Sequence, residues 1–431
     1  MKASFFEAQT LRLLFVLPFP PDLAGSHGGA RVLAATIEML ARSHEVAVFH
    51  LSTGPAASMK LPVGCWRIQG VRSEIPKGST RPFLSRLLGA VRTLIWDQPD
   101  WAKEVWSPRL SAAIAHFAAE FDPAVVHFEF HVMSQYIDIV RRAAPGAACI
   151  VTEHEPGIRA GEVTGSGGEP LKRRLSKFAQ HRAWTRFERH WLPRADAVVT
   201  FTEQDKDSVV DLIGSNGPEV VSIPFRLPLT RTWAVAAPSG HNLLFVGNFN
   251  HPPNADAARR LVAGIFPQIK EEIPAATLTI IGSDPPPNVV AAAGPGIVFT
   301  GWVDDTSQYF RHASIVMAPL RQGGGMRVKI VEASSFGKAI IASALAIEGL
   351  GLRDGVECIV ADSDDAFATT AIKLLQNRER IREIGMAASR WAGRTQDSAA
   401  WLADYERLYA RLFKPREASS ISQDPKRLVD S

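Results

Sequence analysis

Short apolar runs alternate with helical stripes along most of the chain. In the first half the runs are LRLLFVLP (11–18), EVAVFHLS (45–52), CWRIQGV (65–71), AVVHFEF (124–130), ACIVTEH (148–154), AVVTFTE (197–203) and VVSIPF (220–225). Several are almost wholly apolar, as expected of parallel strands covered on both faces. Between them lie amphipathic stretches such as ARVLAATIEMLARS, where Val32, Leu33, Ile37 and Leu40 form one stripe. Alternating strand and helix predicts a parallel sheet wound by right-handed crossovers. The rhythm breaks at PFRLPLTRTWAVAAPSGHN, which carries three prolines, a glycine and no period. It resumes with NLLFVGN, TLTIIGS, GIVFTGW, ASIVMAPL, AIIASALA and ECIVAD.

The pattern therefore predicts an α/β chain of two Rossmann-like, doubly wound domains facing each other across a cleft. The first takes residues 1–225, a linker 226–241, and the second 242–392. A helical stretch over 393–414 is expected to pack back on the first domain, with Gly393 and Arg394 interrupting a pattern that runs from Ile381 to Phe413. The polar tail 415–431 is expected to be disordered.

Length and composition agree with two cores: 431 residues exceed what one core usually holds, and 46% hydrophobic with 21% charged residues is an ordinary globular balance. The net charge of +4 suits an anionic small ligand or a membrane surface. No basic run with interleaved aromatics forms a nucleic-acid platform, so nucleic acid is not an expected partner. Cys65, Cys149 and Cys358 are far apart, fit no metal spacing and read as small buried apolar residues in a reducing compartment. With no secretory signal and no apolar run long enough to span a bilayer, the expected location is the cytoplasm. Peripheral contact with the inner face of the membrane stays open through two basic stretches, RPFLSRLLGAVRTLIW (81–96) and LKRRLSKFAQHRAWTRFERHW (171–191). Each reads first as a helix with its apolar stripe in the core and its arginines in water.

The stretch RQGGGMRVKIVEASSFGK (321–338) carries the most chemistry. It follows an expected strand and opens an expected helix. Glycines there let the backbone approach a ligand, and free N–H groups at a helix start attract an anion. Arg327 in the first turn opposes the helix dipole unless an anion sits beside it. A diphosphate would satisfy the amides and Arg327 together. Glu332, one turn on, has two acceptor oxygens suited to a ribose diol.

The segment FVGNFNHPPN…TLTIIGS…VFTGWVDDTSQYFRHASIVMAPLRQGGGMRVKIVEASSFGKAIIASALAIEGL resembles the donor-binding domain of family 4 glycosyltransferases, which have the GT-B fold. The resemblance is strong from Leu243 to about Leu412 and looser before. It implies a hexosyltransferase that takes a nucleotide-diphosphate sugar as donor, with no other cofactor and no metal. The acceptor hydroxyl would belong to a glycan, a lipid-linked molecule or a small molecule, and transfer would proceed with retention in bacterial polysaccharide, glycolipid or glycoconjugate assembly. By the family's motifs, Glu332 is the second glutamate of E-x7-E and holds the ribose. Gly325, Met326 and Arg327 fall at the diphosphate. Gly301 and Val303 belong to the turn whose backbone reads the base, and Gly28 and Gly29 to the glycine loop under the distal phosphate and sugar. Two departures stand out. Gly324 replaces the first glutamate of E-x7-E. Asn248 and Asn254 stand where many relatives have an arginine and a lysine, so Arg327, with Arg321 or Lys329, must supply the cations.

VVHFEFH ends a strand, and by register Glu129 or His131 matches the family's histidine at the donor sugar, with His131 preferred. His127, inside the strand, reads as a core or supporting residue. His154, in TEHEPG, matches a second cleft position. A histidine at one strand end is as readily a hydrogen-bonded core residue; two strand ends in one cleft favour the site. Neither HFEFH nor EHE has metal spacing on a helix. Asp362–Asp365 and Asp304–Asp305 read as helix starts. Rival readings are a nucleotide-sugar epimerase on the same fold and a nucleotide-binding protein without turnover, which the missing glutamate would permit.

Overall fold

The computed structural model describes residues 10–23, 28–52, 65–72, 99–157, 171–227, 240–323 and 326–413. Linker residues 228–239, the basic stretch 81–96 and the tail 415–431 lie outside the described residues.

Each apolar run named above contains a strand. β1 (Arg12–Leu17), β2 (Glu45–Ser52), β3 (Cys65–Arg72), β4 (Val125–Glu129), β5 (Ala148–Glu153), β6 (Ala197–Thr200) and β7 (Glu219–Ser222) form one sheet in the order β3-β2-β1-β4-β5-β6-β7. β8 (Asn242–Val246), β9 (Thr277–Ile281), β10 (Ile297–Gly301), β11 (Ile315–Ala318), β12 (Ala339–Ala342) and β13 (Ile359–Val360) form the second, in the order β10-β9-β8-β11-β12-β13. The pairings are parallel throughout both sheets. The strand order reverses between β1 and β4 in the first sheet and between β8 and β11 in the second. Ligands of such sheets bind beyond the carboxyl ends of the strands at that reversal.

The central strands are apolar because both faces are covered. Leu13 to Leu17 of β1 are fully buried, as are Ile315 to Ala318 of β11. Each large side chain so buried contributes about 1.5–3 kcal/mol. On the first sheet, helix α1 (Gly28–Leu40) presents Leu33, Ile37 and Leu40 to Phe15 and Val48. In the second domain, α2 (Pro252–Arg260) follows β8 and α3 (Val328–Ser335) follows β11.

The C-terminal pattern resolves differently from the expectation. α4 (Arg378–Thr395) runs through Gly393 and Arg394, and the break falls at Gln396–Asp397. A glycine inside a helix costs only about 1 kcal/mol. The cap decides instead: Asp397 accepts from the amides of Ala399 and Ala400 and starts α5 (Ser398–Leu412). Trp401, Tyr405, Leu408 and Tyr409 form one face of α5 and pack on Leu13, Phe15 and Leu17 of the N-terminal sheet. The chain thus returns from the second domain to cover the first.

The two domains meet at their helix starts. A Cβ at Gly28 would lie 2.9 Å from Cγ2 of Val328, so the first residues of α1 and α3 approach more closely than any other residue type allows. A second approach sets Gly349, at φ +74°, against the side chain of Thr202. Val32 and Phe201 of the first domain join the core of the second.

Candidate functional site

The loops leaving β8 and β11 build one wall of the site. Arg327 is the N-cap of α3 and is buried; its Nη2 donates to the Gly323 carbonyl at 3.1 Å. Gly324 and Gly325 lie outside the described residues. Met326 is half-buried against the domain core, and with Arg327 it lines an interdomain cavity of about 140 Å³ that Phe201, Thr202, Arg226 and Trp391 also border.

Lys329 follows within the first turn. Its Nζ donates to Oδ1 of Asn254 at 2.6 Å and sits 4.5 Å from the centroid of the Phe245 ring. Burial, reinforced by the Arg327 guanidinium, pushes its ammonium down to about 7. The amide at position 254 therefore orients a lysine delivered from α3. Asn248 accepts the Asn250 amide on Oδ1 at 2.9 Å, and its carbonyl accepts from Nδ2 of Asn254 at 2.8 Å. Arg321 is tied elsewhere: its guanidinium binds both carboxylate oxygens of Asp256, at 2.8 and 3.1 Å, on the exposed face of α2. Of the two proposed helpers of Arg327, the fold brings Lys329 and leaves Arg321 out.

Gly301 ends β10 at φ +69°, and its carbonyl accepts from the Gly282 amide at 3.0 Å. Val303 packs on the domain core, while Trp302 between them is exposed.

The opposite wall starts with Gly28 and Gly29 at the head of α1. Arg31, three residues on, reaches across the cleft: its Nη2 donates to Oε1 of Glu332 at 2.6 Å, and its Nε to the Leu23 carbonyl at 3.2 Å. Glu332 is buried. The sequence gives no hint of this pair, because 301 positions separate its members. His251 is a second unforeseen neighbour. His251 keeps an exposed face, but desolvation by the atoms around its ring holds the imidazole below the ordinary value; Glu155 of the first domain opposes this, and Lys329 and Arg327 reinforce it. The residues grouped at the two helix starts are thus Arg31, Arg327, Lys329 and a histidine held toward neutrality, against Glu332 and Glu155. Such a group binds an anion well.

The strand-end candidates of the first domain form two couples, and all are buried. His154 Nε2 shares a hydrogen bond with Oε2 of Glu129 at 2.7 Å, while Oε1 of Glu129 accepts from Thr152 at 3.1 Å. The His154 ring stacks on Phe130 at 3.8 Å. His131 Nδ1 bonds Oε2 of Glu153 at 2.7 Å, and Glu188 stands 3.8 Å away. Trp184 and Trp101 flank the His131 ring at 4.5 and 5.8 Å. Burial alone would lower its pKa, but Glu153 and Glu188 outweigh it and raise the imidazole above its ordinary value. His131, Glu153 and Glu188 place one donor atom each within 4.8 Å of one another, which is a metal-compatible trio as well as an imidazolium held by two carboxylates. Spacing could not find it, since Glu188 arrives from the helix Leu171–Trp191. His127 is fully buried, stacked on Phe15 at 4.6 Å and bonded through Nε2 to the Tyr409 hydroxyl at 2.9 Å. Burial brings its pKa down to about 4, so it is neutral and ties β4 to α5. Burial likewise pushes the three thiols up to about 12, although Cys65 is only half-buried. Among the described residues no helix is long and apolar enough to cross a membrane.

Comparison with known proteins adds a family to this geometry. A stretch of the chain is 28% identical over 181 residues to the phosphatidyl-myo-inositol mannosyltransferase of Mycobacterium tuberculosis, covering 39% of this chain. The chain spans about half the length of the curated relatives it matches, 47% in this case. Among solved structures, sucrose-phosphate synthase from Thermosynechococcus elongatus superposes with a TM-score of 0.66 at 16% identity, covering 93% of this chain and 99% of that one. Anabaena HepE, crystallised with UDP and glucose, gives 0.62 at 13% identity over 93% of this chain and 100% of that one. At such identities the likeness establishes the shared two-domain GT-B fold. The family models divide the chain as the two sheets do: "Glycosyl transferase 4-like domain" matches residues 27–225, and "Glycosyl transferases group 1" matches residues 240–377. With both halves matched in order, the chain belongs to the family 4 glycosyltransferases.

Proposed function

We propose that the protein transfers a hexosyl group from a nucleotide-diphosphate sugar to an acceptor hydroxyl, with retention and without a metal. The observation that carries this reading is the meeting of two helix starts, Gly28 and Val328, with Arg31, Arg327 and Lys329 gathered beside them. In the reading, the diphosphate lies against the first amides of α3 and the guanidinium of Arg327. Glu332 takes the ribose diol, and the turn at Gly301 and Val303 takes the base. Gly28 and Gly29 leave room for the distal phosphate and sugar. As the glycosidic bond breaks, charge grows on the leaving diphosphate, and fixed amides and cations stabilise it there. Asn248 completes the proposed donor pocket.

His131, Glu129 and His154 lie at the carboxyl ends of β4 and β5 and are assigned to the sugar side of the site. His131, whose imidazole Glu153 and Glu188 hold above its ordinary value, is suited to donate hydrogen bonds to sugar hydroxyls. The HepE complex with UDP and glucose favours a uridine donor as the first to test. The mycobacterial relatives, named for transfer to a phosphatidyl-inositol, favour lipid-linked acceptors and contact with the cytoplasmic membrane face.

Calorimetry with UDP, GDP and ADP and their sugar conjugates tests the assignment. One diphosphate is expected to bind, and Arg327→Ala and Glu332→Ala are each expected to weaken it by about 1–3 kcal/mol, the loss of a charge-assisted hydrogen bond. Unchanged affinity in both variants refutes the site.

A further inference from the structure

We propose that Arg31 is a donor-binding residue that exchanges Glu332 for the donor's diphosphate when the cleft fills. This inference rests on the nucleotide reading of the same site. Its starting point is the 2.6 Å bond from Arg31 Nη2 to Oε1 of Glu332, a pair that joins the two domains directly beside the Gly28–Val328 approach. The Glu332 carboxylate is 7% exposed and the Arg31 side chain 26%, so the pair is largely withdrawn from water.

Two requirements then conflict. Glu332 is the residue suited to a ribose diol, and two hydroxyl donors need acceptor positions on its carboxylate. Oε1 is already taken by a guanidinium. A ribose diol that spans both carboxylate oxygens competes with Arg31 for Oε1 and weakens that bond. The displaced guanidinium favours a new anion, because Arg31 stands in the first turn of α1, where the helix dipole disfavours a cation. The diphosphate meets the need. It would lie at the start of α3, against which α1 is packed, and it offers several acceptor oxygens to a planar fork of donors. The bond from Nε to the Leu23 carbonyl anchors the base of the guanidinium, so the exchange asks only that the outer nitrogen turn from carboxylate to phosphate. In the empty protein Arg31 thereby fastens the mouth of the cleft, and in the filled one it contributes the first domain's cation to the donor.

The experiment compares diphosphates with their nucleosides. Wild type, Arg31→Ala, Arg31→Gln and Glu332→Gln are titrated with UDP, GDP, ADP, uridine, guanosine and adenosine, and the empty proteins are measured by small-angle scattering. Arg31→Ala and Arg31→Gln are expected to lose about tenfold in affinity for the diphosphate, the scale of a charge-assisted contact. Their affinity for the nucleoside should stay level or rise, since Glu332 no longer has to be released. The empty Arg31 variants should scatter as a wider molecule than wild type. Equal losses for diphosphate and nucleoside, or no loss for either, would overturn the exchange. If wild type binds none of the diphosphates, the nucleotide reading itself fails; if wild type binds and Arg31→Ala binds as tightly, only the role of Arg31 fails.

Discussion

The two walls of the cleft handle charge in opposite ways. On the side of the first domain, each imidazole has its own carboxylate: His154 with Glu129, His131 with Glu153 and Glu188. On the side of the second domain, Arg327 and Lys329 stand at one helix start, and the carboxylate one turn on, Glu332, is claimed by Arg31 from across the gap. The first wall sets three carboxylates against two imidazoles, inside a shell of Trp101, Trp184 and Phe130. The second carries more positive than negative charge and is completed by an anion. A buried polar group that is already satisfied holds the fold and aims a side chain, while an excess of one sign points to a ligand.

This contrast can be broken by removing a carboxylate from each wall. Glu153→Ala should destabilise the protein by about 3–5 kcal/mol, because it strips the buried His131 ring of its 2.7 Å carboxylate partner. Chemical denaturation measures the loss, and a change below 1 kcal/mol would mean the couple is not buried as a charged pair. Glu332→Ala, by contrast, should register in nucleotide affinity.

Acid sharpens it next. His127 is held at about 4, below its value of 6.5 in an unfolded chain. The unfolded state therefore binds the proton first, and stability that is full above pH 6.5 drains away as pH falls to 4. The loss is about 3 kcal/mol at 1.36 kcal/mol for each pKa unit. His127→Phe should flatten that part of the denaturation profile relative to wild type. Identical profiles would show that burial does not hold His127 neutral.

The smallest effect belongs to the second wall. Burial holds Lys329 at about 7, so at pH 8 it is mostly neutral. A diphosphate nearby favours the ammonium, and binding should take up close to one proton at that pH. Calorimetry in two buffers of different ionisation enthalpy reads this directly, and Lys329→Met should abolish it. Heats that agree between buffers would place the lysine away from the phosphates.

Much of this arrangement was legible before any coordinates. The strands could be read because a parallel strand buried on both faces must be apolar along its length, and each run from LRLLFVLP to ECIVAD became one. The strand-to-helix turn before Val328 could be read because an apolar run, a glycine cluster and an amphipathic stripe follow one another there, and α3 begins at Val328. Helix ends were less legible. Gly393 looked like a break, yet the break came at Asp397, whose side chain caps the next helix.

The sequence by itself determined the two wound sheets, since they follow from local periodicity and from residues close together in the chain. Only the tertiary structure decided which charges neutralise one another. Arg31 finds Glu332, Glu188 finds His131 and His127 finds Tyr409 across 301, 57 and 282 positions. Electrostatic partnership depends on distance in space and on exclusion of water, and neither is set until the domains have closed on each other.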